Sequence, residues 1–175
     1  MSLRRIYLVG PMGAGKTTIG KLLSEELGLE FKDADREIEE RSGVDIPWIF
    51  DREGEAGFRL RESAVLEQLS LLDGVLISTG GGAVLMPQNR ELMHRTGTVI
   101  YLHTTVREQV RRTARDRKRP LLQKGDPAKV LAELMAVREP LYREVAHVVI
   151  ETDSRGPKYV VQELTRRLQE SGAID

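Results

Sequence analysis

The sequence predicts a three-layer α/β fold, with a parallel sheet of five strands covered by helices on both faces. Four short apolar runs and the short strand candidate Glu30-Phe31-Lys32 predict it, because each of the first four segments is followed by helix-like spacing before the next, and a last helical stretch closes the chain. Strands that alternate with helices run parallel, and a parallel sheet needs cover on both faces. The 175 residues, 40% hydrophobic and 31% charged, suit one soluble domain with a sizeable core.

The first run, Ile6-Tyr7-Leu8-Val9, stops at Gly10 and reads as a strand buried on both sides. Ile19, Leu22, Leu23 and Leu27 then recur at helical spacing, with Gly28 as the stop. Glu30-Phe31-Lys32 is the second strand, and a polar helix around Ile38 ends near Gly43. From Ile46 to about Leu72 the pattern is helical, interrupted at Gly54 and Gly57. Val75-Leu76-Ile77-Ser78 is the third strand and runs into Gly80-Gly81-Gly82. Thr98–Leu102 and His147–Ile150 are the fourth and fifth, with helices near 88–94, 105–115, 127–140 and 157–170. No repeat, low-complexity tract or linker divides the chain.

Composition narrows the function classes. Lys+Arg and Asp+Glu both number 27, so bulk charge offers no grip on nucleic acid. The absence of cysteine excludes disulfides and thiolate metal sites. His94, His103 and His147 are too scattered to suggest zinc. No apolar run approaches the roughly 18 residues of a membrane span. The apolar stretch after Arg5 is cut short at Gly10 and Pro11, too brief for a secretory core, so a cytoplasmic monomer is expected.

Chemistry first appears at Gly10-Pro11-Met12-Gly13-Ala14-Gly15-Lys16-Thr17, which fills G-x-x-x-x-G-K-[ST] between a strand and a helix. Glycines let successive backbone N–H groups turn into an anion-binding nest, and the helix that opens at Gly15 adds its dipole. Lys16 carries a full charge to the β- and γ-phosphates, and the Thr17 hydroxyl is a ligand type that Mg²⁺ accepts. The motif specifies a nucleoside triphosphate and leaves the acceptor open.

Acids and arginines elsewhere bear on the acceptor. The third strand ends in Ser78-Thr79-Gly80 with no carboxylate, so the acids nearest in kind are Asp33 and Asp35 after the second strand. They either divide the metal and the acceptor between them, or one caps the following helix. From Arg107 to Arg119 seven basic residues lead into a loop bracketed by Pro120 and Pro127. That run is either a solvated helix face or a lid whose arginines reach phosphates.

Taken together, Gly10–Thr17, Asp33-x-Asp35, Gly57-Phe58-Arg59-x-x-Glu62, Gly80-Gly81-Gly82, Arg119-Pro120-Leu121 and Arg138-Glu139-Pro140-Leu141-Tyr142 resemble shikimate kinase in order and spacing over nearly the whole chain. The resemblance implies a P-loop kinase fold, similar to nucleoside monophosphate kinases, in one domain. A substrate-binding region would occupy about 34–72 and a lid about 112–126. It implies MgATP and shikimate as substrates, with Gly13, Ala14, Gly15, Lys16, Thr17, Thr18, Arg119 and Arg155 on ATP. Thr17 and, through water, Asp33 would attend the metal.

For the acceptor, the resemblance implies carboxylate binding by Arg59 and Arg138 beside Gly80, Gly81 and Gly82, with Asp35 on the reacting hydroxyl. Planar guanidinium forks suit a carboxylate. Lys16, Asp35 and Arg119 would be the catalytic set, and Glu62 would hold Arg59 by an ion pair or else form an exposed i,i+3 pair. Arg155 meets adenine or is an ordinary surface arginine, and Trp48 lines the pocket or packs in the core. The competing functions are another small-molecule or nucleotide kinase on this fold, and a nucleotide-binding module without turnover.

Overall fold

The computed structural model describes residues 5–114, 125–152 and 155–173. Strands β1 (Arg5–Val9), β2 (Glu30–Asp33), β3 (Val75–Ser78), β4 (Thr98–His103) and β5 (Val148–Glu151) form one parallel sheet in the order β2-β3-β1-β4-β5. All five stand where the sequence predicts strands. Successive side chains of a strand point to opposite faces, and here that alternation sorts the core into two halves. Tyr7, Val9, Ile77, Val99 and Tyr101 face one side, while Ile6, Leu8, Leu76, Ile100 and Leu102 face the other.

Helices α1 (Lys16–Leu27) and α7 (Pro157–Glu170) cover the second face through Ile19, Leu23, Val160, Val161, Leu164 and Leu168. On the first face lie α2 (Ala34–Ser42), α3 (Ile46–Leu69), α4 (Pro87–Thr96) and α6 (Pro127–Val145), joined by Ile38, Phe58, Leu66, Met93 and Tyr142. The short α5 (Val106–Thr113) follows β4. Among the described residues no helix is long and apolar enough to cross a membrane.

Three expectations change. Of the two glycines in α3, only Gly54 leaves the helix (φ 74°, ψ 178°), while the helix continues through Gly57. Helix α6 runs on through Pro140 to Val145 instead of ending there, because Leu131, Arg138, Tyr142 and Val145 are all buried along it and hold both turns in place. Trp48 is 42% exposed on the first turn of α3, with the Arg52 guanidinium over its ring, so it is not a core aromatic.

Register brings the working ends of the strands together. Asp33 pairs with Ser78, and Leu8 with Ser78 on the other side. The segments leaving β1, β2 and β3 therefore emerge side by side, at the carboxyl edge where open α/β sheets bind ligands.

Candidate active site

The loop after β1 is shaped as its glycines predict. Gly15 caps α1 from the left-handed region (φ 88°), which a side chain would resist, so the first N–H groups of the helix open to the loop. Lys16 Nζ donates to the carbonyls of Gly10 at 2.6 Å and Pro11 at 2.9 Å, which lays it across the loop. Arg112 closes the far side, donating to Gly13 O at 2.8 Å and to Thr152 O at 2.9 Å.

Two cavities meet at this loop and share Gly15 and Thr18. One, of about 310 Å³, is lined by Ala14, Ile19, Arg111, Arg112, Thr152 and Pro157 among others, a partly apolar cleft between α1, α5 and α7. The other, of about 230 Å³, gathers Lys16, Thr17, Asp33, Asp35, Thr79 and Gly80. The sequence therefore correctly groups Asp33 and Asp35 with the phosphate loop. Asp33 also caps α2, its Oδ1 accepting from the N–H groups of Asp35 (3.0 Å) and Arg36 (3.3 Å), so capping and a place in the cavity do not exclude one another.

The three glycines after β3 are packed against charged side chains. A Cβ on Gly80 would lie 2.8 Å from Asp35 Oδ1 and 3.1 Å from Glu62 Oε2. On Gly81 it would lie 3.2 Å from an Arg138 nitrogen, and on Gly82 only 2.3 Å from Arg59. The strip thus lets two carboxylates and two guanidiniums approach one stretch of backbone. Arg59, Glu62 and Arg138 are all buried.

Within that ring Arg59 Nη1 donates to Glu62 Oε1 at 2.9 Å, and Nε reaches Glu55 at 3.3 Å. The Glu62 pair is internal, not the exposed i,i+3 alternative. Burial pushes the Glu62 carboxyl up to about 7, against the lowering pull of Arg59, with Asp35 raising it further. Tyr142 donates to Gly81 O at 2.5 Å, and burial raises its phenol as well.

Not every expected residue joins the site. Arg155 lies over the Tyr159 ring, 4.1 Å from its centre, and is not among the residues that line the larger cavity. Its neighbours Gly156 and Pro157 are. Arg119, with Arg115, Arg117 and the Pro120–Leu121 motif, lies outside the described residues. Thr152 has no motif to announce it, and the bonds Arg112 makes to Gly13 and Thr152 join positions far apart in the chain.

A family model described as shikimate kinase matches residues 12–169. The shikimate kinase of Pseudomonas syringae pv. tomato is 60% identical over 168 residues, 96% of this chain and 98% of that one. The chain belongs to the shikimate kinase family. A second relative of that name, from Pseudomonas aeruginosa, is 60% identical over 94% of this chain and 95% of its own. Among solved structures, shikimate kinase from Acinetobacter baumannii in complex with shikimate superposes with a TM-score of 0.94 at 49% identity, covering 97% of this chain and 94% of that one. A gluconokinase from Sinorhizobium meliloti, 15% identical with a TM-score of 0.56, shares the fold alone. The α/β architecture is thus that of the P-loop kinases, as its sequence resemblance implies.

Proposed function

We propose that this chain transfers the γ-phosphoryl group of ATP to the 3-hydroxyl of shikimate, giving shikimate 3-phosphate and ADP. One observation carries the residue-level reading: Asp35, Glu62, Arg59 and Arg138 ring the Gly80–Gly82 strip, beside the cavity that holds Lys16 and Thr17. That ring offers two guanidiniums to a carboxylate and one carboxylate to a hydroxyl, which is the pattern of a small hydroxylated acid.

ATP fits with its phosphates on the nest from Gly13 to Thr18 and its base in the cleft beside Arg111, Arg112 and Pro157. Lys16 would turn from the carbonyls of Gly10 and Pro11 onto the β- and γ-phosphates. Arg155 stands next to that cleft, and Arg119 is proposed to close over the phosphates from the lid. Arg59 and Arg138 bind the shikimate carboxylate, with Glu62 fixing the Arg59 fork. Asp35 then orients the 3-hydroxyl in line with the γ-phosphorus.

As the new P–O bond forms, the bond to the ADP oxygen breaks and the hydroxyl proton passes to the Asp35 carboxylate. Such transfer rests mainly on positioning and charge neutralisation. The donor set fits Mg²⁺: Thr17 and Asp33 supply hard oxygens to the shared cavity. Among the described residues no acidic or histidine cage forms that would displace water and phosphate oxygens. When bound, Mg²⁺ would neutralise charge on the β- and γ-phosphates.

Coupled ADP release tests the reading. Turnover should depend on shikimate and remain at background with gluconate or a nucleoside monophosphate. Equal ADP release with those acceptors, or with none, would overturn it.

A further inference from the structure

Glu62 is 1% exposed. Its Oε1 accepts from Arg59, and among the described residues its Oε2 has no hydrogen-bond partner. Oε2 faces Asp35 Oδ1 across Gly80, since a single Cβ built there would touch both. The charged groups acting on Glu62 are Arg59 from its own helix α3, Asp35 from α2 and Arg138 from α6. Glu55 lies on the outer side of Arg59.

With all four groups ionised, two positive and two negative charges cancel. A carboxylated acceptor on Arg59 and Arg138 adds a third negative charge, in a place where buried charge without a partner is costly. One proton restores neutrality, and Glu62 Oε2 is a buried carboxylate oxygen free to hold it.

We propose that Glu62 takes up a proton from solvent as the carboxylated acceptor binds, so that the substrate carboxylate balances the Arg59 charge while neutral Glu62 keeps its hydrogen bond from Arg59. An O–H bond forms at Oε2, Oε1 keeps its bond from Arg59, and the net charge of the ring stays at zero. This inference rests on the pocket being the shikimate site. Burial already holds Glu62 up to about 7, so near neutrality a small added negative potential shifts its titration. Glu62 acts through Arg59 and is a positioning residue.

Calorimetric titration of shikimate into the full chain, in buffers of different ionisation enthalpy, counts the protons taken up. Uptake should rise above zero near neutrality and approach one per shikimate in mildly alkaline buffer. The Kd should then rise with pH, by up to about tenfold per pH unit. E62Q should still bind shikimate but lose both the uptake and the slope. Infrared difference spectra of the unmodified chain give a reading that needs no variant: shikimate should produce a carboxylic-acid carbonyl band as a carboxylate band disappears.

Shikimate binding without proton uptake or without the acid band would overturn the inference, as would equal uptake in E62Q. Absence of shikimate binding by the unmodified chain would instead overturn the functional reading on which it rests.

Discussion

At the scale of residues, the acceptor pocket is defined by how close guanidinium groups come to bare backbone. Gly82 admits Arg59 at a distance no Cβ permits, so G82A should displace the Arg59 fork. Steady-state kinetics should show a raised shikimate KM and an unchanged ATP KM; a proportional rise in both would mean a global distortion. Removing a fork outright is harsher. R59A and R138A should each weaken shikimate recognition by about 2–5 kcal/mol, the usual cost of truncating one partner of a buried charged pair. Competition by shikimate analogues lacking the carboxylate checks this, because their affinity should hardly change. Lys16 stands apart from that pocket: K16M should abolish ADP release while the circular dichroism spectrum is kept, and full turnover would sink its role.

At the scale of elements, what could be read from sequence follows the reach of each interaction. The strands were legible because burial on both faces leaves continuous apolar runs such as Ile6–Val9 and Val75–Ile77. The phosphate loop was legible because its residues are contiguous. Asp33 and Asp35 could be put forward from their place after the second strand, but their meeting with the loop depends on the β2–β3–β1 register, which no local pattern carries. Arg112 on Gly13 was not legible, having no local pattern. Helix α3 shows both cases. Its break at Gly54 was visible as a glycine, but Gly57 looked the same and stays helical. A Cβ at Gly54 would meet nothing within 4 Å, so the only penalty on G54A is its φ of 74° with an extended ψ. That conformation is nearly confined to glycine and costs about 1–3 kcal/mol with a side chain. Urea unfolding should show a stability lowered by that amount, read as a lower midpoint at constant m, and an unchanged midpoint would show that α3 can straighten.

At the scale of the whole molecule, two groups with shifted titrations sit in different places and pull in opposite directions. Glu62 lies in the pocket ring, with its carboxyl pushed up by burial to about 7. An acid raised in the folded state contributes stability that is complete below the ordinary value of 4.5 and is lost as pH rises through about 7. His147 lies where β5 begins, its ring stacked on His94 at 4.1 Å, and its Nδ1 accepts from the Val99 N–H at 2.9 Å. Protonation at Nδ1 would end that bond, and burial together with His94 holds the imidazole below 6.5. A base depressed in this way contributes stability that is present above 6.5 and lost as pH falls through its folded value. Just below pH 6.5 the two slopes therefore oppose one another. Single substitutions should separate them in chemical unfolding measured against pH. E62Q should gain on the unmodified chain as pH rises, by on the order of 3 kcal/mol once Glu62 is ionised. H147N, whose amide oxygen can still accept from Val99, should flatten the acid side alone. If both variants track the unmodified chain at every pH, neither group governs its acid–base stability.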